Sequence, residues 1–201
     1  NPQSLGIINS SAQLLKKKME KLSSKSTIPN IIIEESARLD NIISDFLNFA
    51  GPKSPDFLPC RIESIIDKNI AYLEPQIKEN NLKIKQEISG KLPEIQADST
   101  MLYQAFLNIL INAFQALKQG GLITIRMRAD NDKLIINFID NGKGIQEENL
   151  KKVWTPFFTT KDTGTGLGLG IVKNIIEAHN GSIDISNVVP GGTDVEIMLP
   201  R

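Results

Sequence analysis

Apolar residues in the first fifty positions keep a helical seam that breaks once and then ends. Leu5, Ile8, Ala12, Leu15, Met19 and Leu22 recur at alternating steps of three and four, the spacing of a heptad seam along one side of an α-helix. Ser23-Ser24-Lys25-Ser26 interrupts it, and Pro29 suits the first turn of a second helix, where a missing N–H costs nothing. There Ile32, Leu39, Ile43, Phe46 and Ala50 resume the alternation, with Ser36 at the position left without an apolar residue. Gly51-Pro52 ends the helix, Pro55 and Pro59 follow, and residues 52–59 read as a linker. Two such helices cannot bury both apolar faces against each other alone. Pairing with a second copy gives a four-helix bundle, so a homodimer is the default expectation; packing of the hairpin on its own globular domain is the alternative.

From about residue 60 the pattern changes. Ile62, Ile65, Ile66, Ile70 and Leu73 predict a helix, and Leu82–Ile88 alternates like a strand. Asp98 or Ser99 can cap a long helix running to about Lys118, stopped by Gly120-Gly121. Leu122–Arg128 and Lys133–Asp140 read as strands joined by the turn residues Asp130-Asn131-Asp132. A last helix is expected from Gly166 to His179, then strands Ser182–Asn187 and Thr193–Leu199 around Pro190-Gly191-Gly192. Strands and helices without strict alternation predict an α+β fold: an α/β sandwich of residues 60–201, with one mixed sheet and helices on one face, behind a helical hairpin of residues 1–51.

A chain of 201 residues accommodates one large domain or two small ones. Its 23 basic and 23 acidic residues balance, so charge gives no reason to invoke nucleic acid or an anionic membrane. The single cysteine, Cys60, excludes an intramolecular disulfide and suits a reducing cytoplasm. No apolar run approaches the roughly 18–20 residues of a membrane-spanning helix, and no signal peptide opens the chain. The start on Asn1-Pro2 without Met reads as part of something longer, with any sensor or membrane segment expected upstream of Asn1.

Three segments carry candidate chemistry. Asn108-Ile-Leu-Ile-Asn112 sets two carboxamides at i and i+4, one face of the 98–118 helix. Amide oxygens are hard ligands that can orient Mg²⁺ already balanced by a triphosphate; the plainer reading is local hydrogen bonding by two surface asparagines. Asparagine is a poor helix former, so two on an otherwise apolar helix ask for an explanation. Asp140-Asn-Gly142-Lys-Gly144 ends the apolar run Leu134–Ile139 in a carboxylate. Such a group can accept a hydrogen bond from the amine of adenine and reject guanine, with Gly142 and Gly144 letting the backbone approach the ring; an ordinary Asp-Asn-Gly turn is the alternative. Gly164-Thr165-Gly166-Leu167-Gly168-Leu-Gly170 leads into the apolar helix Ile171–Ala178, offering backbone N–H groups and a helix N-terminus to an anion. Its spacing matches neither G-x-x-x-x-G-K-[ST] nor G-x-G-x-x-G.

In this order and spacing the three segments resemble the ATP-binding domain of sensor histidine kinases, in the superfamily that also holds gyrase, the Hsp90 chaperones and MutL. The resemblance covers nearly the whole chain. Thr155-Pro-Phe157-Phe158-Thr-Thr160-Lys161 is similar to the phenylalanine motif of these kinases; the likeness implies that Phe157 and Phe158 anchor a mobile lid and that Lys161 reaches the phosphates. Asn112-Ala-Phe-Gln-Ala116 resembles the nitrogen-regulation type. Asn1-Pro2 matches the end of the family's phosphoacceptor box, and Glu34, Arg38-Leu39 and Asp45-Phe46-Leu47 look like the partner helix of its dimerisation hairpin.

The resemblance implies ATP and Mg²⁺ held by Asn108, Asn112, Asp140, Gly142, Gly144, Lys161, Gly164, Thr165, Gly166, Leu167 and Gly168, with Asn108 and Asn112 on the metal. It implies γ-phosphoryl transfer to a hairpin histidine, expected four residues before Asn1, then to a response-regulator aspartate. Asn1 would sit one turn beyond that histidine and orient water for dephosphorylating the regulator. ATP-hydrolysing relatives carry glutamate where Asn108 stands; an amide is no base at neutral pH, so transfer is favoured over hydrolysis. A gyrase- or chaperone-type ATPase and a nucleotide-free dimerisation scaffold are the competing expectations. The only histidine, His179, falls in the ATP-binding domain and is expected to end a helix.

Overall fold

The computed structural model describes residues 2–21, 28–50, 54–130, 132–161 and 164–201. The chain divides into two compact units, Asn1–Gly51 and Pro52–Arg201.

The first unit holds helices α1 (Pro2–Lys21) and α2 (Ile28–Ala50), which lie against each other. Ala12 and Ser36, two small residues of the two seams, are buried. Ile8, Leu15, Leu39 and Phe46 of the same seams are exposed. The segment between the helices lies outside the described residues, as do the side chains of Leu5, Leu22 and Ala50.

The second unit runs β1 (Leu58–Cys60), α3 (Ile62–Glu79), β2 (Lys83–Ser89), β3 (Ile95–Ala97), α4 (Ser99–Ala116), β4 (Leu122–Asp130), β5 (Lys133–Asp140), α5 (Glu147–Leu150), α6 (Gly168–Ala178), β6 (Ser182–Asn187) and β7 (Thr193–Pro200). Five strands form one sheet in the order β2-β4-β5-β7-β6. β2 pairs parallel to β4 and every other pairing is antiparallel, so the sheet is mixed, as expected. The period of two sorts its faces. Ile125, Phe138, Val195 and Ile185 share one row across four strands, as do Met127, Ile136 and Ile197, and all seven are buried. The opposite face carries Arg126, Asn137, Asp194 and Glu196, where Arg126 pairs with Glu87 at 2.7 Å and Asn137 donates to Asp194 at 3.1 Å. α4 and α6 pack on the sheet and on each other, and α3 packs on α4.

Two expectations need correction. The stretch read as a linker contains the start of β1, which pairs antiparallel with β3 in a separate two-stranded sheet, and the Asp56 amide donates to Asp98 at 3.1 Å. Pro59 disguised the strand; a two-stranded ladder with no central position tolerates its missing N–H. The sheet is therefore not the only one. The last helix begins at Gly168 rather than Gly166, because Gly166 has φ +69°, the left-handed region that a right-handed helix excludes.

Asp98 is the N-cap of α4: its Oδ1 accepts from the amides of Thr100 and Met101 at 2.9 and 3.0 Å. Its own amide donates to His179 Nε2 at 2.9 Å, and His179 Nδ1 faces the Ile175 carbonyl at 2.7 Å. A carbonyl only accepts, so Nδ1 carries the proton and Nε2 accepts. His179 thus links the end of α6 to the start of α4 and ends α6, where Asn180 (φ +55°) and Gly181 complete a Schellman turn through bonds to the carbonyls of Glu177 and Ile176.

Burial alone would raise the Asp98 pKa, but the amides of Met101, Asp56 and Thr100 outweigh it and hold the carboxyl below its ordinary value. A depressed folded pKa contributes stability above the unfolded value and loses it as pH falls through the folded one. Asp98→Ala is expected to cost about 1–2 kcal/mol and to flatten the acid side of the stability curve, read from urea unfolding followed through Trp154, the only tryptophan.

Candidate functional site

The site is built on α4, a helix with a continuous buried apolar side. Leu102, Ala105, Phe106, Ile109, Leu110 and Ala113 are buried, and Phe106 meets Phe138 of β5 at 5.4 Å between ring centroids. Each such large side chain contributes about 1.5–3 kcal/mol by leaving water, which fixes the rotation of α4 over the sheet. That rotation leaves Asn108 and Asn112 half-buried on a neighbouring face.

Gly168 opens α6 directly opposite the two amides. A Cβ built on Gly168 would lie 3.9 Å from Asn112 Nδ2 and 4.0 Å from Asn108 Cγ, so both asparagines and the glycine-rich segment share one place. Lys161 joins them: its Nζ donates to Asn112 Oδ1 at 2.8 Å and to Gln115 Oε1. Lys161 is partly open to water, yet desolvation, and then the charge of Lys143, lowers its pKa. The Asp140–Gly144 segment meets the same helix at its end, where Gly142 lies against the Ala116 carbonyl.

Asp140 ends β5 and is 5% exposed. Its Oδ1 accepts from the Gly142 amide at 2.8 Å, and Thr193 donates to the same carboxylate through its amide and hydroxyl. Desolvation raises the carboxyl pKa above its ordinary value, opposed by Gly142 and Thr193. Two glycines make the arrangement possible. Gly142 packs on the end of α4, where an added Cβ would lie 2.7 Å from the Ala116 carbonyl oxygen. Gly192, at φ +118°, passes so close that a Cβ would lie 1.9 Å from the Asp140 carbonyl oxygen. The loop beyond is tied down by Asn141, whose Oδ1 accepts from the Leu122 amide at 2.8 Å, and by Asn187, which accepts from the Ile145 amide at 2.8 Å and donates to its carbonyl. Gly144, at φ +70°, lies against Asn187 Oδ1 and the Gly192 carbonyl rather than against α4.

The remaining expected residues are distributed less evenly. Gly164 packs on Thr159 and Lys161. Thr165 Oγ1 accepts from the Leu167 amide at 3.3 Å. Leu167 is fully buried, in keeping with a segment that is not a solvated linker. The Phe157 ring, by contrast, is 60% exposed and does not anchor the loop. Its backbone does, since the Phe157 amide donates to the Gly166 carbonyl at 3.0 Å and a Cβ on Gly166 would strike Phe157 C at 2.4 Å. Asn1 lies outside the described residues.

Gln115, Thr193, Gly192 and Asn187 escaped the sequence reading. Gln115 follows Asn112 by one i, i+3 step and was findable on that ground. The other three lie at the facing ends of β6 and β7 and in the turn between them, and reach the 140–145 segment only through the tertiary fold, so no local pattern marks them.

This geometry matches a known family. Residues 97–201 match the model of the histidine kinase-, DNA gyrase B- and HSP90-like ATPases. The chain belongs to this family. It is similar to the sensor histidine kinase ZraS of Escherichia coli K12, 31% identical over 173 residues that cover 86% of this chain and 37% of ZraS. Among solved structures it resembles the catalytic domain of histidine kinase ThkA (TM-score 0.68, 30% identity, 73% of this chain, 96% of that one). ThkA in complex with the response regulator TrrA matches all of this chain and 58% of that one (TM-score 0.76, 27% identity). Full-length ShkA in complex with AMPPNP shares the fold (TM-score 0.84, 23% identity, 98% and 43%). The second unit is thus a histidine-kinase-type catalytic domain, and the chain spans well under half of its relative ZraS.

Gly192→Ala tests how tightly the site is built. Gly120, at φ +82° with nothing within 4 Å of an added Cβ, provides the control, where alanine should cost about 1–2 kcal/mol from the backbone alone. Gly192→Ala adds the collision and should cost roughly 3–4 kcal/mol. Equal losses in urea unfolding would show that Gly192 is not under steric constraint.

Proposed function

We propose that the second unit binds ATP with Mg²⁺ and that the chain is the catalytic core of a two-component sensor histidine kinase. The γ-phosphoryl passes to a histidine preceding Asn1 on an N-terminal helical hairpin, then to an aspartate of a response-regulator receiver domain. The observation that carries this reading is the meeting of Asn108, Asn112, Gly168 and Lys161 on the helix against whose end Gly142, two residues after Asp140, is packed. The similarity to ZraS and ThkA supports it, as does the TrrA complex of ThkA for the receiver partner.

Each residue has a chemical task in this reading. Asp140 accepts from the exocyclic amine of adenine and repels the guanine carbonyl. Gly142 and Gly144 leave the ring room. Thr165, Gly166, the Leu167 backbone, Gly164 and the N-terminus of α6 at Gly168 face the phosphates. Lys161 adds a point charge. The donor set fits Mg²⁺ only in the company of a triphosphate: Asn108 and Asn112 offer hard but neutral oxygens, and among the described residues no three His, Cys, Asp or Glu side chains gather. Bound there, the metal supplies charge neutralisation, and the protein's part is positioning. An amide at position 108 cannot take a proton from water, which supports transfer over steady hydrolysis.

The exposed apolar residues of α1 and α2 support a homodimer through a four-helix bundle. Asn1 is assigned the orientation of water in regulator dephosphorylation; an Asn1→Ala full-length protein with an unchanged phosphatase rate removes that role. No described helix is long and apolar enough to cross a membrane, and the proposed setting of the domain is the cytoplasm, whether or not the parent protein is anchored upstream.

Two measurements test the proposal. Calorimetry should show Mg·ADP binding, and Asp140→Asn should weaken it at least about thirty-fold, the loss of a buried charged acceptor, without unfolding the domain. Binding that survives this change, or equal affinity for guanine nucleotides, rejects the adenine role of Asp140. With γ-labelled ATP, the 201-residue polypeptide should acquire no acid-labile phosphate, because its one histidine, His179, is 2% exposed with both ring nitrogens engaged. Sustained phosphate release would favour an ATPase instead.

A further inference from the structure

We infer that Gln115 is a positioning residue which, together with Asn112, parks Lys161 on α4, so that Lys161 and Mg²⁺ compete for a single amide oxygen. This rests on the nucleotide reading above and extends it to how the site is opened.

Asn112 and Gln115 stand at i and i+3 on α4, adjacent on its surface. The Lys161 ammonium bridges their side-chain oxygens, at 2.8 Å from Asn112 Oδ1 and in close contact with Gln115 Oε1. It thereby occupies the oxygen assigned to the metal. An ammonium and a divalent ion on one oxygen would lie roughly 4 Å apart, a separation at which like charges repel strongly in a partly desolvated site. Occupancy by one therefore displaces the other.

The backbone around Lys161 permits the exchange without remodelling. Its amide donates to Thr159 Oγ1 at 3.0 Å and the Gly164 amide donates to its carbonyl at 3.3 Å, so the main chain is held while the long side chain swings. A displaced ammonium then points to the phosphates that brought the metal, and each oxygen anion or amide keeps a cation. Nucleotide without metal places no second cation on Asn112, so only the pull of its phosphates acts on Lys161, and the displacement is weaker than with phosphate and metal together.

Gln115 enters only the parked arrangement, which separates its effect from the rest of the site. Gln115→Leu keeps a good helix former at an exposed position and weakens the parked state. The fraction of molecules ready for the metal rises, so the apparent affinity for Mg·ADP should tighten about three- to ten-fold. Affinity for ADP in EDTA should change less, since only the phosphates then draw on Lys161. In a Lys161→Met background Gln115→Leu should have no effect under either condition, since there is nothing to park. Calorimetry on wild type, both single variants and the double variant, with MgCl₂ or with EDTA, decides the matter. Weaker Mg·ADP binding by Gln115→Leu, an equal change with and without metal, or an effect that persists beside Lys161→Met would each overturn the inference while leaving nucleotide binding intact. If wild type binds ADP under neither condition, the nucleotide reading itself falls and this one with it.

Discussion

Everything at the site depends on how α4 is held. Its buried face, with Phe106 against Phe138, fixes the helix over the sheet, and Asp98 fixes its first turn. Hydrophobic burial is strong but indifferent to rotation and sliding; the cap and the His179 bridge supply the direction. Together they decide where two weakly helix-forming asparagines face. The opposing wall is set by a different device, the near-contact of Gly192, Gly142 and the Asp140 backbone, in which a missing side chain lets main chain meet main chain.

Much of this was legible in the sequence because the chemistry lies in contiguous segments. The limits of β5 and β6 and the cap at Asp98 followed from alternation and capping residues, since those elements satisfy a local pattern and a tertiary one at once. The pocket segments were visible for a related reason: amide pairs and glycines are costly in a helix or a core and stand out where no local rule demands them. What stayed hidden was of two kinds. β1 and β3 are three residues each, too short for alternation to register, and Pro59 argued against a strand. Thr193 and Gly192 act on Asp140 across strands, a relation that only sheet register creates. Phe157 shows a third limit, because its ring faces solvent rather than anchoring the segment.

The balance of charge at the site is also informative. Asp140 is an isolated buried carboxylate, and Lys161 rests on neutral amides rather than on an acid. Among the described residues, neither has an ionic partner to give up when a ligand arrives. Separated, uncompensated groups of opposite sign suit a molecule that is a hydrogen-bond donor at one end and an anion at the other. A salt bridge between them would stabilise the domain and blunt its recognition of such a molecule.

The sheet order adds a consequence for biosynthesis. β7 pairs with both β5 and β6, and its first residue, Thr193, completes the hydrogen bonding of Asp140. β7 is also the last of the described strands to be synthesised. A nascent chain halted before it would expose the apolar row of β5 and lack a finished carboxylate pocket. The surroundings of Asp140 are therefore complete only once β7 has been made and has paired with β5.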